Sequence, residues 1–149
     1  MRWNRSGTIA ACRDLLAKAR ELSDRSEEAA LLNMISQYQG RLGEWQDAEE
    51  VARDAVAAAE AAQDNRLLAE ALTRLGTSMM DRRSDEAGDF YHRALALFRG
   101  VGDRCGEARC YINIGIIHQR AGEVPAAEAA YDRALEAANS AHAVDLAGP

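Results

Sequence analysis

A short phrase recurs through this chain at nearly constant intervals. "CRDLLAKA" begins at residue 12, "ARDAVAAA" at 52, "YHRALALF" at 91 and "YDRALEAA" at 131, with spacings of 40, 39 and 40 residues. A repeat of this length means that one supersecondary unit is copied, and that each copy buries its apolar face against the next. A second marker keeps the same step: Asp24, Asp64 and Asp103 each stand five residues before an alanine, Ala29, Ala69 or Ala108. Aspartate is a favoured N-cap, because its carboxylate accepts hydrogen bonds from the unpaired amides of the first helical turn. Asp24 with Glu27 also has capping-box spacing.

After each aspartate the apolar residues fall at helical period, as Leu32 and Ile35, Leu72 and Leu75, then Tyr111 and Ile114. These segments, the A helices, end at turns: "GRLGEW" at 40–45, "DRRSDE" at 81–86 and "RAGEVP" at 120–125. The repeated phrase then lies on a second helix, B. Gly43 and Gly122 suit helix C-termini, and Pro125 suits a first turn. Such short connections force antiparallel pairs. The expected organisation is one domain over 1–149: a lone B helix at 6–22, hairpins at 25–62, 65–100 and 104–141, and a tail at 142–149. Small residues sit where paired helices would cross, with Gly76 and Gly115 on A helices and Ser36 in their place in the first hairpin. Glycine inside a helix costs about 1 kcal/mol relative to alanine, so these positions imply close packing.

Composition agrees with an all-α chain, since 48% of residues are hydrophobic but only 5% aromatic, and much of the apolar fraction is alanine. The net charge of −6 and the solitary lysine, Lys18, argue against a nucleic-acid partner, whose phosphates require clustered basic residues. Apolar runs are too short to cross a bilayer, and the first residues lack a secretory pattern, so a cytoplasmic location without membrane contact is expected. Cys12, Cys105 and Cys110 form no CxxC pair and are read as reduced.

In "YINIGIIHQRAGEVPAAEAAYDRAL" at 111–135, Gly115, Gly122, Ala127, Tyr131 and Ala134 resemble the signature of the tetratricopeptide repeat family. The resemblance covers 8–141. Its period near 40, against the usual 34 of that family, resembles the long-helix subclass found in kinesin light chains, spindle scaffolds and bacterial regulators. It implies a right-handed α-solenoid of about seven helices, whose A helices line a concave groove that binds extended peptides.

No cofactor, metal site or catalytic constellation stands out. His92, His118 and His142 lack a second ligand at helical spacing, and no phosphate loop or nucleophile elbow is present, so an enzyme is not expected. The groove candidates are Asn33, Gln37 and Arg41, then Thr73, Arg74 and Thr77, then Arg109, Asn113, Ile116 and Arg120, with Glu70 and Asp81 as the acids among them. An arginine excess in an acidic chain points to an acidic or C-terminal peptide, because guanidinium groups bind carboxylates bidentately. This makes a non-catalytic protein- or peptide-binding scaffold the leading reading. The alternative is a self-association module, a fragment of a larger signalling or transcriptional regulator. Its contact would be a homodimer through the first helix, where Ile9, Cys12, Leu15 and Leu16 lack a partner A helix.

Overall fold

The computed structural model describes residues 5–147, with side chains over 7–142. Seven helices follow one another: α1 (Arg5–Glu21), α2 (Arg25–Arg41), α3 (Trp45–Ala62), α4 (Asn65–Met79), α5 (Ser84–Val101), α6 (Arg104–Arg120) and α7 (Val124–Ala147). No strand interrupts them among the described residues. Three antiparallel hairpins, α2–α3, α4–α5 and α6–α7, stack in order, with α1 packed on α2. The result is an α-solenoid of helical hairpins. Helix α7 runs to Ala147, so the segment expected to be a tail from 142 is helical at least that far. Residues 1–4 and 148–149 lie outside the described range.

The three aspartates cap the A helices. Asp24 accepts from the Glu27 amide at 3.1 Å, Asp64 from Leu67 at 3.0 Å and Asp103 from Gly106 at 2.9 Å. Gly43 and Gly122, at φ +79° and +78°, make the first and third A–B turns. A side chain there would be strained, because L-residues seldom adopt that conformation.

Ring-on-glycine contacts hold the second and third hairpins closed. A Cβ built on Gly115 would come within 2.5 Å of the Tyr131 ring, and one on Gly76 within 2.9 Å of the Tyr91 ring. Tyr91 is fully buried and donates to or accepts from Thr77 Oγ1 at 3.1 Å. Burial pushes its phenol up to about 12, against the opposing hydrogen bond of Thr77. In the first hairpin both partners change together. The tyrosine position holds Ala52 and the glycine position holds Ser36, whose hydroxyl donates to the Ala48 carbonyl at 2.8 Å.

Neighbouring hairpins are also joined by ionic clamps. Glu28, on α2, receives Arg20 at 3.2 Å and Arg25 at 2.8 Å, and seventy-nine residues on Glu107 receives Arg99 at 3.3 Å and Arg104 at 3.2 Å. Both glutamates are buried. The middle repeat lacks the set, having Glu60, Asn65 and Leu68 in those places, and Leu68 packs on the core instead. There, Glu49 of α3 gathers Arg53 and Arg82 at 3.0 Å each and Arg83 at 2.5 Å, tying the first hairpin to the α4–α5 turn. Burial raises the Glu28 and Glu49 carboxyls, but the hydrogen bonds and charges of their arginines outweigh it and hold both below the ordinary 4.5.

Two predictions follow from these contacts. Gly115→Ala gains helix propensity of about 1 kcal/mol, yet overpacking typically costs about 1–3 kcal/mol, so its melting temperature should fall. In a Tyr131→Ala background the same change should cost less or stabilise, and equal costs in both backgrounds would contradict the ring contact. Because the folded Glu28 carboxyl titrates below 4.5, its contribution is complete above that pH and is lost as pH falls through the lower folded value. Glu28→Gln should therefore lower stability at neutral pH by only about 1 kcal/mol, since its arginines are half-exposed and screened. Denaturation curves of parent and variant should converge below pH 4.5.

Candidate peptide groove

The groove residues expected from sequence divide into three sets. The first lies between A helices rather than on an open face. Asn33 is buried, and its amide donates to the Leu67 carbonyl of α4 at 3.3 Å, while its Oδ1 has no partner. Thr73 occupies the same repeat position on α4, donates to Ala69 O at 2.9 Å and approaches Cys110 Sγ of α6 at 3.8 Å. Nine residues past the cap, the helical phase points at the following A helix, so these two side chains space the stack and do not line the groove.

The second set comes together around one cavity of about 370 Å³ between the first two hairpins. Gln37 and Arg41 of α2 and Arg74 and Thr77 of α4 line it, with Ser36, Gly40, Trp45, Ala48 and Ser78 completing the wall. Trp45 was not among the sequence candidates, because as the first residue of α3 it stands ahead of that helix's periodic pattern. Its ring lies against Gly40, where an added Cβ would stand 3.1 Å away, and 40% of the residue remains exposed.

Arg74 dominates the electrostatics of this wall. It is half-buried and makes no hydrogen bond or ion pair, even with Glu70 one turn earlier. Burial pushes its guanidinium below the ordinary arginine value, and the like charges of Arg109 and Arg41 push the same way against Glu70. An arginine does not lose its proton in water, so the group stays charged. Arg41 lies over the Tyr38 ring at 5.9 Å and Arg109 over the Phe98 ring at 5.8 Å, which positions both without neutralising either.

The third set belongs to α6. Arg120 pairs with Asp81 at 2.5 Å, so this arginine and one of the two expected groove acids cancel. Asn113 and Ile116 are half-buried and do not reach the cavity. His118 contacts Glu123 at 2.7 Å, across the turn. No group of three metal-ligating side chains occurs among the described residues.

At the first helix, Ile9, Cys12 and Leu16 are buried at 5–6% exposure, and they belong to the core that α2 and α3 share. Of the four residues expected at a self-association face, only Leu15 is exposed. A single B helix can bury its stripe against α2 without the A helix that would precede it.

Stacked A–B hairpins with a basic wall between them define a helical-repeat protein of the kind that presents a surface to other proteins. Residues 67–140 match the tetratricopeptide repeat family. Repeats of this family generally mediate protein–protein interaction or scaffolding. The chain is also similar in structure to BtubC (BKLC) from P. vanneervenii, with a TM-score of 0.72 and 23% sequence identity over 91% of this chain. That likeness is one of fold, and the chain spans 57% of the length of that structure. No curated protein sequence matches it.

The thiols separate by environment. Cys12 and Cys110 are buried and Cys105 is exposed, and burial pushes the Cys110 thiol up to about 11 against the Thr73 contact. Since thiolates are the reactive species, a maleimide at neutral pH should label the folded chain at Cys105 alone. Mass spectrometry should find Cys12 and Cys110 modified only after denaturation, and rapid native labelling of Cys110 would refute the packing around Thr73.

Proposed function

We propose that the chain is a non-catalytic scaffold module that binds an acidic or C-terminal segment of a protein partner along its A helices. The observation that carries this reading is Arg74: a half-buried guanidinium with no hydrogen bond or ion pair, near Arg41 and Arg109 and offset only by the charge of Glu70. A carboxylate placed there would offset the like charges and accept bidentate hydrogen bonds from the guanidinium. Gln37 and Thr77 stand beside it to hydrogen-bond a peptide backbone. The overall charge of −6 disfavours phosphate-rich nucleic acid as the partner. No helix among the described residues is long and apolar enough to cross a membrane, which is compatible with a cytoplasmic site of action. Ile9, Cys12 and Leu16 are buried within the chain, so self-association through α1 would rest on other residues such as Leu15.

Fluorescence anisotropy with labelled acidic peptides, carrying free or amidated C-termini, tests the reading. Arg74→Ala with Arg109→Ala should weaken binding by at least about tenfold, or 1.4 kcal/mol. Melting temperature should change little, because neither guanidinium makes a hydrogen bond or ion pair and substitutions away from such features usually stay within about 0.5 kcal/mol. Raising the salt should also weaken binding. Peptide affinity indifferent to both substitutions and to salt would refute the acidic-ligand reading.

A further inference from the structure

The cavity beside Arg74 has a counterpart, one repeat later, that is closed. Between the second and third hairpins the corresponding positions are filled by Met80, Tyr91 and Ile117, all packed into one core. Between the first and second hairpins the same repeat positions hold Gly40, Ala52 and Ser78. Three large side chains are thus replaced by three small ones at a single interface. In the second hairpin a Cβ on Gly76 would meet both the Tyr91 ring and the Ala87 carbonyl. Their equivalents in the first hairpin, Ser36 and Ala48, are two walls of the open cavity.

We propose that this cavity is a socket for an aromatic side chain of the bound peptide, and that Ala52, by lacking the ring which the later hairpins carry as Tyr91 and Tyr131, determines that specificity. This rests on the groove reading above for the existence of a peptide, and adds which side chain it inserts. The volume of about 370 Å³ accommodates one ring with room at the mouth. Trp45 offers it an exposed indole, and aromatic pairs gain energy beyond their buried area in offset or edge-to-face contact. The small, buried wall of Ser36, Ala48 and Ser78 has spent its hydroxyls already: Ser36 donates to Ala48 O, and Ser78 donates to Leu75 O at 2.7 Å. The bottom of the socket therefore presents mostly apolar surface, while its charged groups, Arg41 and Arg74, stand in the same wall for the acidic part of the ligand.

The probe is 4-methylphenol, the side chain of tyrosine itself, titrated into the full chain. The readout is the Trp45 indole N–H resonance together with intermolecular NOEs. Saturable shifts of that resonance are expected, with NOEs to the Ala48 and Thr77 methyl groups. Two variants fill the socket from different sides: Ser36→Gly with Ala52→Tyr rebuilds the pair seen in the second hairpin, and Ser78→Ile copies its third member. Each should weaken 4-methylphenol binding by at least about tenfold, and either one that folds by circular dichroism suffices. Arg109→Ala, which does not line the socket, should leave 4-methylphenol binding intact while weakening the acidic peptide, so a failure of the socket and a failure of the acidic groove are told apart. No saturable shift in the parent chain, NOEs from another surface, or unchanged binding in a folded filled variant would each overturn the proposal.

Discussion

The close approach of the two helices in a hairpin is the contact on which the remaining structure depends. Where a tyrosine from helix B lies flat on a glycine of helix A, as Tyr91 does on Gly76 and Tyr131 on Gly115, no methyl group fits between them. That fixes the phase of both helices about their axes. Once the phase is fixed, the outward faces are fixed too, and each hairpin offers the next a stripe of the same shape. The cost of glycine inside a helix is accepted because the ring it admits packs at interior density.

Stacking then divides labour among repeat positions. Residues nine past the first two aspartate caps meet the following A helix, which is why Asn33 and Thr73 are buried spacers. Residues four past the cap meet the preceding B helix, and there the chain alternates between charge and apolar packing. Glu28 and Glu107 each gather two arginines, whereas Leu68 joins the core. Both solutions satisfy the burial of one side chain, but only the ionic one depends on pH. The acidic total of the chain hides this pattern, because many arginines are consumed by clamps and few are left free.

Arg74 is one of those left free, and its setting links architecture to function. The first hairpin differs from the others in having Ala52 where they have a ring, and the space between the first two hairpins is correspondingly open. The free cation and the open space lie in the same wall. A repeat array can therefore build a distinctive surface by omission, keeping the scaffold intact and withholding bulk from one interface.

The order of helices, their caps and their pairing were legible in sequence, since each depends on local chemistry repeated in register: aspartate at 24, 64 and 103, glycine at 43 and 122, the B-helix phrase at 12, 52, 91 and 131. Gln37, Arg41, Arg74 and Thr77 could be placed near one another by the same helical phase. That phase could not say how far each side chain stands from its neighbours, so Asn33 and Thr73 were grouped with the groove, and Arg120 was counted as a free charge although Asp81 neutralises it. Trp45 carried no periodic signal at all. The partition of arginines into clamped and unclamped, and the burial of α1 against α2, were decided by tertiary structure, because both depend on distances between residues one repeat apart, and sequence spacing fixes angles around a helix but not separations across an interface.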